Sequence, residues 1–456
     1  MFGKALLLST ALLALQADAF WRLPCRQRLV LERIDPIDTP GVVGHHVHTV
    51  HGGSAFSRNV TSDDLRASHC TSCEVQEDNS AYWTPNLYHQ SESGELTALN
   101  QTGGMLVYYL LRGENIQPFP PNLRIIAGDA RRRNTTYDLD IERSYWAGLG
   151  LSTNQDFLRQ RAIGFNCLNY AEPANAALGI HTIPQDRDCP DGLRAEVFFP
   201  SCWDGKHDDS FDHRSHMAYP STMDDGDCPE GYPIRVPSLF FETIWDVHAF
   251  AGQGGKFIFS TGDELGYSNH GDFMNGWQQD VLERAINTCT DPSGIVEMCT
   301  EFTIRSADEY SQCTIESELN EEVWGPMKKL PGCNLITDST QYAGIGACDA
   351  DGNDIGTSHS AVASKTSKVV SAASSYVAGV ASHTASAASA VVSDVAAAAQ
   401  DTVAPDAVDP YLVIVTVTET VTEGVTSTTC TAPAVTSTVE SYKVKRHMHN
   451  HARRHH

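Results

Sequence analysis

Twelve of the thirteen cysteines in this 456-residue chain lie between Cys25 and Cys348, and no other feature of the sequence constrains the fold as much. An even set of thiols behind an export signal predicts up to six disulfides, because an oxidising compartment lets such pairs form and persist. The set is Cys25, Cys70, Cys73, Cys167, Cys189, Cys202, Cys228, Cys289, Cys299, Cys313, Cys333 and Cys348. The signal is Met1 to Ala19: Lys4 supplies the positive start, Ala5 to Leu15 the apolar run, and Ala17-Asp18-Ala19 the small-x-small cleavage signature. That run is about 11 residues against the ~20 needed to cross a bilayer. No later segment reads as a membrane span. The expectation is therefore a secreted protein, extracellular or cell-wall associated, beginning at Phe20. Cys70-Thr-Ser-Cys73 has zinc-ribbon spacing but no second such pair, so structural disulfides are the better reading. Asn59, Asn100 and Asn134 open Asn-x-Ser/Thr sequons and are the expected glycosylation sites.

Composition divides the chain near residue 349. Before it lie all seven Trp, mixed with Gly, Pro and Cys; after it, Ser358 to Gln400 is dominated by Ala, Ser and Val. A stretch so poor in large apolar groups does not pack a core, and 349–442 reads as a Ser/Thr/Ala-rich, O-glycosylated stalk without fixed structure. Val415 to Thr429 alternates like a strand and is expected to be an extended wall-type segment. Residues 443–456 form a basic, His-rich tail, and Cys430 stands apart from the other cysteines. Residues 20–348 then make one cysteine-rich core domain. Gly, Pro and Asn-Gly punctuate it at short intervals, and strands are predicted at Met105 to Leu111, Leu123 to Ala127, Ala195 to Phe199 and Lys256 to Ser260. Phe273 to Thr288 carries the best helical spacing. The fold class this predicts is mostly β, a disulfide-rich sandwich or jelly roll with a few short helices.

A formal net charge of −25 excludes a nucleic-acid partner, which needs clustered Lys and Arg. No nucleophile elbow, H-E-x-x-H helix, P-loop or dinucleotide fingerprint occurs. Three clusters remain. In His45-His46-Val-His48 a strand would set His46 and His48 on one face, a common start for a metal site. From Phe199 to Pro220, Trp203, Asp204, Lys206, His207, His213, His216 and Tyr219 crowd around turns, either an acid–base site or a disulfide-braced structural loop. Asp208-Asp209 and Asp224-Asp225 read as solvated loop acids or calcium-type ligands. In Ser260 to Phe273, His270 and Asp272 sit beside glycines that would allow close approach of a ligand, although Asp272 could instead cap the following helix. A carboxylate pair for glycoside hydrolysis also stays open among Asp204, Glu242, Asp263 and Asp272.

Several of these runs carry a family likeness. Phe20-Trp-Arg-Leu-Pro-Cys25, Trp83-Thr-Pro85, Gly103-Gly-Met-Leu-Val-Tyr-Tyr109, Leu123-Arg-Ile-Ile-Ala-Gly-Asp129, Gly164-Phe-Asn-Cys167, Phe199-Pro-Ser-Cys-Trp-Asp-Gly-Lys206, His216-x-Ala-Tyr-Pro220 and His270-Gly-Asp-Phe273, together with the H-x-H, closely resemble a fungal secreted family. It is catalogued as domain of unknown function number nineteen-ninety-six, and the likeness covers roughly Ile34 to Asn287. The resemblance implies an extracellular fungal protein and supplies no reaction.

Two functions follow as expectations. The first is a carbohydrate-active protein, a glycoside hydrolase or polysaccharide lyase acting on cell-wall polysaccharide. In it Asp204, His216, Tyr219, His270 and Asp272 are the catalytic candidates, and Trp203, Lys206, Trp277 and Arg124 the substrate contacts. One divalent metal ion is the cofactor that His46, His48 and His270 would hold. The second is a non-catalytic wall or adhesion protein with a glycan- or metal-binding head on the stalk.

Overall fold

The computed structural model describes residues 19–337. The leader, Cys348, Cys430, the stalk and the His-rich tail lie outside the described residues. Eleven strands build two antiparallel sheets: β1 (Ala19–Cys25), β2 (Val30–Glu32), β3 (His48–Gly52), β4 (Ala81–Pro85), β5 (Gln101–Leu111), β6 (Arg124–Gly128), β7 (Ile163–Cys167), β8 (Ala177–Ile180), β9 (Leu193–Phe198), β10 (Ser238–Trp245) and β11 (His270–Met274). One sheet is ordered β1-β5-β10-β9-β7-β8 and the other β2-β3-β4-β11-β6. Helices are few and short, so the mostly β, disulfide-rich sandwich is the observed class.

Alternation explains how the sheets meet. From the six-stranded sheet Leu23, Val107, Tyr109, Val197 and Phe241 point into one core, and from the five-stranded sheet Tyr82, Ile125, Ala127 and Phe273 enter the same core. Gly271 lies at the closest approach: a Cβ there would sit 2.9 Å from the Phe199 ring and 3.0 Å from that of Phe241. This glycine makes room for the opposite sheet, where the sequence suggests room for a ligand.

Period two then turns the neighbours of Gly271 the other way. His270, Asp272 and Met274 face outward, with Val50, Trp83 and Ile126 from the adjoining strands. That outer face is not open to solvent. Leu29, Ile34, Ile37, Phe56, Val60 and Leu65 cover it in a second core, pinned by the Cys70–Cys313 disulfide. Further disulfides join Cys25–Cys73, Cys167–Cys189, Cys202–Cys228 and Cys289–Cys299, and Cys333 is disulfide-bonded as well.

The predicted strands are present, at 101–111, 124–128, 193–198 and 256–259. The predicted helix is shorter than its spacing suggests, Gln279–Thr288. Phe273 belongs to β11, whose inward alternation happens to fall in phase with the helix that follows. Gln278, not Asp272, precedes the first helical turn, so a capping role for Asp272 is excluded.

Candidate metal centre

Three segments far apart in sequence converge on the covered face. His48 opens β3 opposite Pro85, and Asp272 lies opposite Trp83 in β11. Extending that register by two residues sets His270 opposite Pro85 as well. Two imidazoles therefore reach toward each other over the compact proline ring from strands about 10 Å apart, two sheet spacings. His46 joins from the bend before β3. That bend is fixed by Arg33, which donates to the Gly44 carbonyl and pairs with Glu321, and by Asn334, which donates to the His45 carbonyl.

The result is a tight cluster. His46 Nε2 lies 3.0 Å from His270 Nε2, and His48 Nε2 lies 3.2 Å from the same atom. Asp272 Oδ2 is 3.9 Å from His48 Nε2 and 3.8 Å from His270 Nε2, beyond hydrogen-bond reach. His46, the most exposed of the four, is 7% exposed.

Protons alone do not account for this arrangement. His48 Nδ1 is 3.0 Å from the Ile34 carbonyl and His270 Nδ1 is 2.7 Å from the Ser268 carbonyl. A carbonyl only accepts, so each Nδ1 carries the hydrogen and each neutral ring presents a lone pair at Nε2. The contact between His48 and His270 thus sets two acceptors face to face. Extra protons are disfavoured: burial and the neighbouring imidazoles hold His46 and His48 well below the ordinary histidine range, and burial pushes His270 down to about 4. Neither Asp272 oxygen has a hydrogen-bond partner, and burial, followed by the charge of Asp35, drives its pKa well above the usual carboxylate range.

A divalent cation would resolve both conflicts. Three Nε2 ligands at about 2.0–2.1 Å from zinc stand about 3.3 Å apart in a tetrahedron, close to the observed contacts, and a carboxylate completes the set. Carbonyl acceptors on the distal imidazole nitrogens are the usual outer shell of such ligands. His46, His48 and His270 each offer a ligand atom within 4.8 Å of the others. Asp272, expected as a catalytic acid or base, joins them as a fourth ligand candidate. His51, as alternation requires, turns to the other side of the sheet, with Nδ1 on the Gln27 carbonyl and Nε2 on Gln101.

The remaining candidates are not among these ligands. Residues 208–216 run along the free edge of β6, through Arg124 N to the Asp208 carbonyl and Ile126 N to the His213 carbonyl. His216 bonds the Arg124 carbonyl and Ser210. Asp204 accepts from His207 and from the Lys206 amide; burial acts upward on its pKa, but these bonds hold it below the usual value. Tyr219 is buried and donates to the Phe198 carbonyl, while Lys206 is exposed. Arg124 is half-buried 4.0 Å from Asp209, and half-buried Trp203 donates to the His207 carbonyl. Trp277 is fully buried and donates to Tyr109, the place of a core residue and not of a sugar platform. Asp224 is no solvated loop acid: it is buried between Arg112 and Arg143. Asn59 and Asn100 are exposed and Asn134 half-exposed, as glycan acceptors need to be.

A family model described as a domain of unknown function (DUF1996) matches residues 35–277, a span that holds all four candidate ligands. No curated protein and no solved structure matches the chain.

Proposed function

The chain belongs to the DUF1996 family, and from that premise we propose that it is a secreted metalloprotein whose centre, His46, His48, His270 and Asp272, serves the breakdown of cell-wall polysaccharide by hydrolysis or lyase chemistry. The observation that carries the metal reading is the facing lone pairs of His48 and His270 beside an unpartnered, buried Asp272. The apolar leader, the disulfides and the surface sequons support export. When bound, a divalent ion would supply Lewis acidity toward a hydroxyl or carboxylate oxygen. The chain's own part is to orient the imidazoles of His48 and His270 through the Ile34 and Ser268 carbonyls and to exclude bulk water with the covering layer.

One observation favours a second reading. All four ligands are at most 7% exposed, and a closed shell of four protein ligands is the habit of structural rather than catalytic sites. On that reading the ion locks the covering layer onto the sheet, and the protein is a glycan-binding head. Elemental analysis of the full secreted chain, with His48→Ala and His270→Ala beside it, tests the shared premise: about one ion per chain is expected, lost in both variants. An equal metal content in all three proteins overturns it. Polysaccharide cleavage abolished by chelation supports the enzyme; a chelator that lowers only thermal stability supports the head.

A further inference from the structure

The outer face of the six-stranded sheet, on the opposite side of the sandwich from the histidines, carries a groove of about 430 Å³. Its origin is local. Gly103 and Gly104 both have positive φ, and a Cβ on Gly104 would lie 2.2 Å from the Cys25 carbonyl, so β5 bends here without side chains to fill the hollow. The register between β5 and β10 slips at the same level, between Thr243 and Trp245. Pro24, Leu106 and Ile244 form an apolar floor, and the segment around Ile295, tied to β1 by Arg22 N to the Gly294 carbonyl, makes a wall.

The polar rim is built rather than incidental. Glu242 accepts from Arg194 at 3.0 Å and from the Tyr108 hydroxyl at 2.9 Å. Arg194 also holds Glu196 at 2.6 Å, and Asn166 donates to that carboxylate at 2.5 Å. Glu196 and Glu242 stand directly opposite across two strands, so their Cβ atoms are about 5 Å apart, and Arg194 bridges the pair. At the other end Glu74 accepts from Arg26 at 2.6 Å. Next to the floor Phe20 and Tyr108 stack at 6.2 Å, giving a half-buried aromatic flank.

We propose that this groove binds a neutral oligosaccharide. Carboxylates and guanidinium groups of both signs, several of them already paired, present acceptors and donors side by side. A chain of hydroxyls matches that pattern, since each hydroxyl both donates and accepts. A polyanion meets Glu74, Glu242 and Glu297, and a polycation meets Arg22 and Arg26. The volume lies within the ~300–1,000 Å³ typical of small-ligand sites. The site is independent of the metal centre and stands or falls without it.

The test is calorimetric titration of the full secreted chain with neutral hexasaccharides (β-1,4-glucan, β-1,3-glucan, β-1,4-linked N-acetylglucosamine and β-1,4-mannan), with hexagalacturonate as the anionic control. At least one neutral ligand should bind, unchanged by chelator. Ile244→Arg, which fills the floor, and Glu242→Gln should each weaken it at least tenfold. If Ile244→Arg does not fold, the exposed wall variant Glu297→Lys, tested with a bulky-branched form of the same ligand, takes its place, with an expected change of at least threefold. Binding by none of the neutral sugars, tighter binding of hexagalacturonate, or affinity that survives these substitutions overturns the proposal. Loss of binding on chelation alone would also overturn it, while leaving the metal reading intact.

Discussion

The two outer faces of the sandwich use similar polar chemistry in opposite ways. On the six-stranded sheet Glu196, Glu242, Arg194 and Tyr108 pair with one another and remain partly open to water. On the five-stranded sheet Asp272 and three imidazoles are sealed under Leu29 to Leu65 and leave two carboxylate oxygens unpartnered. A self-paired set that still meets water costs less than one sealed from it. A buried, unpaired set costs several kcal/mol unless a cation enters it. The contrast is what would separate a centre proposed to take an ion from a surface proposed to take a neutral ligand.

The largest effect should come from the sealed face. With metal at about a thousand times its dissociation constant, binding adds about 4 kcal/mol to stability. For a domain of about 320 residues, at about 2.1 cal/mol/K of unfolding entropy each, that amounts to roughly 6 °C in Tm. Calorimetric melting before and after dialysis against a chelator should show a drop of that order, restored by adding the ion back. His270→Ala should melt where the chelated protein does and gain nothing from added metal. A parent protein whose Tm ignores the chelator would place the sealed face in the same class as the open one.

Between the two faces lies a carboxylate that should respond to pH. Asp78 is buried in the shared core, accepting from Tyr82 and from the Ser80 amide, and burial pushes its pKa up to about 6. Its folded-state value exceeds that of an unfolded aspartate, about 3.9, so the folded chain keeps this proton over a range where the unfolded chain has released it. The penalty for ionising it is absent below about pH 4, grows as pH rises toward 6 and is complete above that. The size is about 3 kcal/mol at most, two pKa units. Denaturant titrations at pH 4, 5 and 6.5 should show stability falling through this window, and Asp78→Asn should flatten the fall. An unchanged slope in that variant would assign the pH dependence to other groups.

How much of this was legible beforehand follows from the length scale of each signal. Strands at 101–111 and 124–128 were readable because alternation and turn residues are local. The pairing of His46 and His48 was readable for the same reason: period two puts both on one side. That His270 completes the set depends on its register against Pro85, which no local pattern encodes. The glycine at 271 pointed to the right place for the wrong reason, since it serves the packing of Phe199 and Phe241. Glu196 and Arg194 drew no attention because a charged residue on alternate positions of a strand looks like any solvated face. Only the strand order β10-β9-β7 shows that Glu242, Glu196 and Asn166 adjoin.

The smallest effect gives the sharpest comparison. Asp272→Asn and Glu242→Gln replace a carboxyl group by an amide on opposite faces. In metal-free protein Asp272→Asn should be neutral or stabilising, because it deletes an unpaired buried carboxyl. With metal bound it should abolish most of the ion's stabilisation, because an amide is a weaker ligand. Glu242→Gln should cost less than about 1 kcal/mol in either condition, as surface pairs do, and less still at high salt, where their attraction is screened. Denaturant midpoints for both variants, each with and without chelator, give four differences. If Asp272→Asn destabilises the metal-free protein as it does the loaded one, Asp272 has a protein partner and is not waiting for an ion. If instead its sign depends on the ion while that of Glu242→Gln does not, the two faces differ in kind.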